Sequence, residues 1–163
     1  MIGINEQNLS KNAQSIQKIL DNSSLEFKVI ELSESTRTAE DAANSIGCTI
    51  AQIVKSLVFR TKQSHKPILV LASGANRVNE KTLASLVGEK IEKADATFTR
   101  EVTGFAIGGI PPVGHTQPLE TFIDKDLLSF KEVWAAAGTP NAVFRLDPAT
   151  LLNLTHGSIV SIA

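Results

Sequence analysis

Tyrosine is absent from this sequence, tryptophan occurs once, and seven phenylalanines make up the rest of the aromatic residues. A protein that grips single-stranded nucleic acid by stacking its bases needs an aromatic platform, and none is evident. Charge of one sign is also missing: 16 basic against 17 acidic side chains leave a formal net charge of −1. No basic field is therefore available to hold a long run of phosphates, so any nucleic-acid partner would be gripped locally, at one end. The lone Cys48 excludes an internal disulfide and fits a reducing compartment. No apolar run approaches the roughly 20 residues that span a bilayer. The first residues, Met1 to Glu6, do not resemble a signal peptide. The expectation is a cytoplasmic protein with no membrane partner.

What is present is the composition of an ordinary globular domain, with 42% hydrophobic and 20% charged residues in 163. Leu9, Ala13, Ile16 and Leu20 recur at helical spacing and predict an amphipathic helix over 6–21. Phe27–Leu32 is a predicted strand. Thr38-Ala-Glu-Asp41 has the pattern of a capping box opening a short helix that stops at Gly47. Residues 53–60 and 67–72 are two strands around the polar turn 61–66. Asn79 caps a helix ending at Gly88, and Asp147-Pro148 opens another that ends at Gly157. Strands are also expected at 119–123, 142–146 and 159–162. Strands joined by short turns favour a mixed, mostly antiparallel α/β domain over a doubly wound sheet.

Two features stand out chemically. Six of the twelve residues in 104–115 are glycine or proline. The apolar Phe105-Ala-Ile107 leads into this stretch, which suggests a strand delivering a rigid, side-chain-poor loop. Such a loop is usually a tight connection, but it can also present bare N–H groups to an oxygen. The other feature is Lys55. In a strand it shares a face with Leu57 and Phe59, where an ammonium needs a partner. In a helix it would face water while Ile53, Val54, Leu57 and Val58 turned inward. The β-branched residues and Phe59 favour the strand.

Ile53-Val-Lys-Ser-Leu-Val-Phe59, the loop 109–114 and Ala137-Gly-Thr-Pro-Asn-Ala-Val-Phe144 together resemble the YbaK family in order and spacing. Thr38–Ala43 is similar as well. These aminoacyl-tRNA deacylases include free-standing relatives of the editing domain inserted in bacterial prolyl-tRNA synthetase. The resemblance covers roughly residues 25–163, with residues 1–24 expected to add a helix to the same domain. It implies an α/β fold with a mixed, barrel-like sheet and a pocket that hydrolyses the ester of a mischarged tRNA. Proline tRNA carrying a small wrong amino acid is the implied substrate, its acceptor end the implied contact, and prolyl-tRNA synthetase a possible partner. DNA, a metal and a cofactor are not implied.

By position, the resemblance makes Lys55 the lysine required for activity, and Gly109 and Gly114 the catalytic loop glycines. Pro112 and His115 in that loop, Gly138, Thr139 and Asn141 in the second loop, Ser56 beside the lysine, and Thr38 become candidate substrate contacts. Several relatives carry histidine or aspartate near position 141, so Asn141 leaves the amino acid preference open.

An aminoacyl ester needs a water nucleophile, an oxyanion stabiliser and an acid for the leaving ribose oxygen. A loop N–H supplies the second, and Lys55 polarises and holds the ester. His115 follows the loop directly and could orient water or substrate, but a histidine in that position is more often a structural hydrogen-bonder. His65, His156 and Cys48 show no nucleophile or metal-ligand spacing. Asp124, Asp126 and Asp147 are expected to be caps. Two other classes stay open: a non-catalytic module binding tRNA ends or a synthetase, and a Schiff-base enzyme with Lys55 as nucleophile.

Overall fold

The computed structural model describes residues 9–22, 27–33 and 38–163. Among them are five α-helices and an eight-stranded sheet. In chain order these are α1 (Lys11–Asp21), β1 (Val29–Glu31), α2 (Ala39–Ile46), β2 (Ile53–Thr61), β3 (Pro67–Ser73), α3 (Glu80–Val87), β4 (Ile91–Lys93), α4 (Ala96–Thr103), β5 (Glu120–Asp124), β6 (Val133–Ala136), β7 (Ala142–Leu146), α5 (Pro148–Thr155) and β8 (Ser158–Val160). The sheet order is β1-β7-β6-β2-β3-β5-β8, with β4 attached to β2 off this path. Four pairings are antiparallel (β1–β7, β2–β3, β2–β4, β6–β7) and three parallel (β2–β6, β3–β5, β5–β8).

Local chemistry accounts for most element ends. Ser10 caps α1, which buries Ala13, Ile16 and Leu20; the helix begins at Lys11 rather than residue 6, and residues 6–8 lie outside the described residues. Thr38 Oγ1 accepts from the Asp41 N–H at 3.0 Å and Gly47 closes α2 at φ +85°, as the capping pattern suggested. Asn79 and Gly88 bound α3 in the same way, and Asp147 with Pro148 opens α5. His156, not Gly157, is the left-handed residue that ends α5.

The segment before the glycine–proline loop differs from expectation. Ala96–Thr103 is helical, capped by Asp95 and closed by Gly104 at φ +84°, and Phe105–Ile107 is irregular rather than a strand. Thr103 explains the turn: its buried Oγ1 donates to the Thr99 carbonyl at 2.7 Å and accepts from the Phe105 N–H at 3.0 Å. That bond directs the chain out of the helix and drops Phe105 into the core.

The sheet separates two apolar layers. Val54, Val58, Leu69 and Leu71 face α1 and Phe144 on one side, while Phe59, Ile68, Val70 and Ala72 pack on α3 through Leu83 on the other. A third cluster joins Ala42 and Ala43 of α2 to Ile53, Trp134 and Val143. One topological detail positions the site. β2 is paired to β6 only at Ile53 and Val54, and to β4 only from Phe59 to Thr61. Between them, one edge of Lys55–Val58 has no strand partner among the described residues, and the Val58 carbonyl accepts there from the Ala94 N–H at 3.1 Å.

Candidate active site

The gap beside β2 opens into a cleft with two halves. Both share Lys55, Ser56, Leu57, Ile107 and Ile110. The first half, about 280 Å³, is apolar, its far wall made by Ala39, Ala42, Ile53, Trp134 and Val143. The second, about 550 Å³, contains Arg77, Lys93 and Glu80. Ile107 is 58% exposed and stands at the mouth of both.

Lys55 lies at the common wall. β2 is a strand there, so the side chain falls on the Leu57 and Phe59 face, as the strand reading required. Its partner is a backbone carbonyl: Nζ donates to the Asn76 oxygen in the turn after β3. Burial, first, and then the Arg77 guanidinium push the Lys55 ammonium below the usual lysine range, while the Asp124 carboxylate pulls it back up. A desolvated cation at a cleft wall is a common arrangement at reactive sites.

Ser56 is the second notable wall residue. Its Oγ is buried and has no hydrogen-bond partner among the described residues. An orphaned buried hydroxyl costs about 1–3 kcal/mol. By alternation it lies on the Val54–Val58 face, opposite the Lys55 side chain.

The glycine–proline loop contributes in a way the sequence did not indicate. The Gly109 N–H is already donated to the Ala106 carbonyl at 3.1 Å, and the Gly109 carbonyl accepts from the Gly138 N–H at 2.9 Å. Gly109 is therefore a contact point between the two loops, not an oxyanion donor. The loop residues lining the cleft are Ile107, Gly108 and Ile110. Neither the Gly108 nor the Ile110 N–H has a partner among the described residues, so these two amides replace Gly109 as candidate donors.

Pro112, Gly114 and His115 fall outside the cleft. They line a separate groove with Leu154 and Thr155 that shares no residue with it. His115 Nε2 bonds the Pro111 carbonyl at 2.7 Å, and burial, outweighing that bond, lowers its proton affinity. A largely buried imidazole tied to its own loop is a structural brace. At Gly114, with φ +84°, an added Cβ would lie 2.8 Å from Ile19 Cδ1 and 3.0 Å from Ile16 Cδ1, so the glycine lets the loop pass under α1. Gly114→Ala is expected to cost about 1–2 kcal/mol of left-handed strain. At about 2–4 °C per kcal/mol the melting temperature falls by about 2–8 °C. Thermal melts with kinetics on the folded fraction check this, and the KM for substrate is expected to be unchanged.

The second loop is likewise a support. Gly138 takes φ +100°, and an added Cβ would press on Asn12 at 3.1–3.2 Å; Asn12 Nδ2 donates to the Gly138 carbonyl at 3.2 Å. Thr139 Oγ1 accepts from the Asn141 and Ala142 N–H groups, and Asn141 holds the Leu32 backbone. None of the three lines the cleft, although Val143, two residues on, does. Thr38 is at the rim of the apolar half, where it caps α2. Of the expected site residues, the fold thus gathers Lys55, Ser56 and Thr38 around the cleft, with Gly109 and Thr139 as the contact behind its loop. Arg77, Lys93, Ile107 and Trp134 were not anticipated. Among the described residues no cluster of His, Cys, Asp and Glu could hold a metal, and no helix is long and apolar enough to cross a membrane.

Comparison with known proteins assigns this arrangement to a class. Residues 33–154 match the model of the aminoacyl-tRNA editing domain. The chain belongs to that family. The YwhH protein of Bacillus subtilis strain 168 is 31% identical over 134 residues, covering 82% of this chain and 85% of its own. EbsC of Enterococcus faecalis, named as a candidate Cys-tRNA(Pro)/Cys-tRNA(Cys) deacylase, is 27% identical over 131 residues, covering 80% and 79%. A crystal structure described as a candidate trans-editing enzyme for prolyl-tRNA synthetase is 46% identical, with a TM-score of 0.89 over 95% of this chain and 98% of the other.

Proposed function

We propose that this editing-domain protein is an aminoacyl-tRNA deacylase whose cleft hydrolyses the ester of proline tRNA carrying a small, wrong amino acid. The observation that carries the reading is the shared wall Lys55–Leu57, with its half-buried cation, standing between an apolar and a basic half. The apolar half takes the amino acid side chain; that this side chain is a small one follows from the family resemblance. The basic half takes the terminal nucleotide, with Arg77 and Lys93 toward phosphate. One nucleotide held by two or three cations is a local grip, in keeping with a chain of net charge −1.

In this pose the scissile carbonyl lies at the Lys55–Ser56 wall. Water attacks it, and the negative charge that develops on oxygen is met by the Lys55 ammonium and a loop amide of Gly108 or Ile110. Preorganised donors of this kind are worth about 2.7–4 kcal/mol each to the transition state. Among the described residues the lining contains no histidine or cysteine, and Glu80 is its one carboxylate. The family resemblance implies that the substrate's own neighbouring ribose hydroxyl orients the water; the proton the water loses passes through that hydroxyl to the leaving ribose oxygen as the bond to the acyl carbon breaks. The products are free amino acid and uncharged tRNA. A ribose hydroxyl in this role also discriminates RNA from DNA.

The reading as a whole is tested by competition. A hairpin with the proline tRNA acceptor stem ending in CCA should inhibit hydrolysis, and the same hairpin lacking the terminal adenosine should inhibit at least tenfold less. Equal inhibition by both would remove the nucleotide from the basic half. The Schiff-base alternative predicts a borohydride-trapped adduct on Lys55, and the deacylase reading predicts none.

A further inference from the structure

We infer that the buried carboxylate of Asp124 is a positioning residue for Lys55, acting through Asn76 to fix the ammonium at the cleft wall. This rests on the reading of the cleft as the site of ester hydrolysis. Asp124 ends β5 and is 1% exposed. Its Oδ2 accepts from the Ser73 N–H at 3.0 Å and from Asn76 Nδ2 at 2.8 Å, and its Oδ1 accepts from the Asp126 N–H at 3.0 Å. Asn76 Nδ2 also donates to Asp126 Oδ2 at 2.7 Å. The backbone carbonyl of this same Asn76 receives the Lys55 ammonium.

The turn carrying Asn76 is fixed at further points. Ser73 Oγ donates to the Ala51 carbonyl at 2.8 Å, and the Gly74 N–H to that of Ile53 at 2.8 Å. A Cβ on Gly74 would lie 2.3 Å from the Ile50 carbonyl oxygen, so the turn is wedged against the segment that leads into β2. One acceptor for Lys55 is thus held in place from both ends of its own strand system. A lysine side chain carries about 2 kcal/mol of rotamer entropy, and a rigid acceptor meets that cost before substrate arrives.

Both Asp124 oxygens act as acceptors, a pattern that asparagine, with one acceptor oxygen, cannot reproduce. These bonds satisfy the buried carboxylate and make it the anchor of the turn whose Asn76 carbonyl receives Lys55. The charges around Lys55 come from several elements. The side chain faces Arg77 and Asp124, shares its half of the cleft with Glu80 of α3 and Lys93 of β4, and has Asp126 one hydrogen bond beyond Asn76. Burial and Arg77 weaken the ammonium's hold on its proton, and Asp124 strengthens it.

The signs give a two-sided test. Asp124→Asn removes the influence that raises the Lys55 pKa, so the alkaline fall in activity moves to lower pH. Arg77→Gln removes one that lowers it, so the fall moves to higher pH. Deacylation by wild type and both variants is followed from neutral to alkaline pH, with spontaneous hydrolysis subtracted and rates scaled to the folded fraction. The Lys55 amine is titrated in parallel by NMR of 13C-labelled lysine. At neutral pH Asp124→Asn is expected to lower kcat on the order of 10- to 100-fold, the scale of displacing a reacting group by about 1 Å, with KM changed far less.

Should Asp124→Asn fail to fold, Asn76→Ala keeps the carboxylate and the backbone acceptor but cuts the tie between them, and the same kcat loss is expected. Opposite displacements of the Lys55 titration in the aspartate and arginine variants support the inference. Coincident titrations, or wild-type kcat in Asn76→Ala, overturn it. The amine titration does not depend on turnover. A wild-type protein that hydrolyses no aminoacyl-tRNA but shows those opposite shifts sinks the proposed function and leaves the positioning of Lys55 standing.

Discussion

Lys55→Ala is expected to reduce deacylation by at least about 100-fold, the cost of losing one preorganised charge-stabilising donor, while the protein stays folded. The size of the loss follows from where the charge sits. The ammonium is partly desolvated between the two halves of the cleft and bonded to a single backbone carbonyl. Nothing else at the shared wall carries charge, so no neighbour substitutes for it. Stability is expected to change little, because the desolvation relieved by the truncation offsets the hydrogen bond lost. Lys55→Arg should not restore the rate, since a planar guanidinium cannot replace a compact ammonium aimed at one acceptor. Single-turnover hydrolysis with thermal melts on the same samples checks both statements. Full turnover by Lys55→Ala would remove Lys55 from the mechanism.

Gly109→Ala is expected to be the most damaging loop substitution, through packing rather than lost donation. An added Cβ would lie 2.7 Å from the carbonyl carbon of Thr139 and 2.9 Å from its Cα, both backbone atoms. No rotamer change relieves such a contact. The two loops must separate, breaking the bond from the Gly138 N–H to the Gly109 carbonyl and shifting Gly108 and Ile110 at the cleft wall. Overpacking of this kind costs about 1–3 kcal/mol. The melting temperature should fall by about 2–12 °C. Displacing the loop amides by about 1 Å should lower kcat on the order of 100-fold. Wild-type kcat in the Gly109→Ala variant would show that the loop takes no part in catalysis.

These two residues illustrate what could be read before the fold was known. Lys55 was legible because a charge in a run of Ile, Val, Leu and Phe contradicts its own strand pattern, and the contradiction marks a site. Thr38 and Gly47 were legible because caps are local chemistry, and the β2–β3 hairpin because its turn is polar. Gly109 was legible as a requirement for glycine but not as to cause: its neighbour is Thr139, thirty residues on, and only the folded chain shows that its N–H is already taken. The strand expected at Phe105–Ile107 is absent because Thr103 bonds across the end of a helix the sequence reading did not include, and Val102 and Phe105 pack into the core. β4 and β6, of three and four residues, are too short to show a period. The open edge of β2 follows from how those two strands share it, and no local pattern encodes that. Asp124 looked like a cap, and it is one; its burial comes from the β3–β5 pairing.

The measurement that tests the account most directly is hydrolysis of a panel of mischarged tRNAs by the wild-type protein beside Lys55→Ala. The account predicts release of a small amino acid from proline tRNA well above the spontaneous rate, little release of large ones, and a return to the spontaneous rate in the variant. Hydrolysis of none of the panel by wild-type protein, or of all of it equally by both proteins, would contradict it.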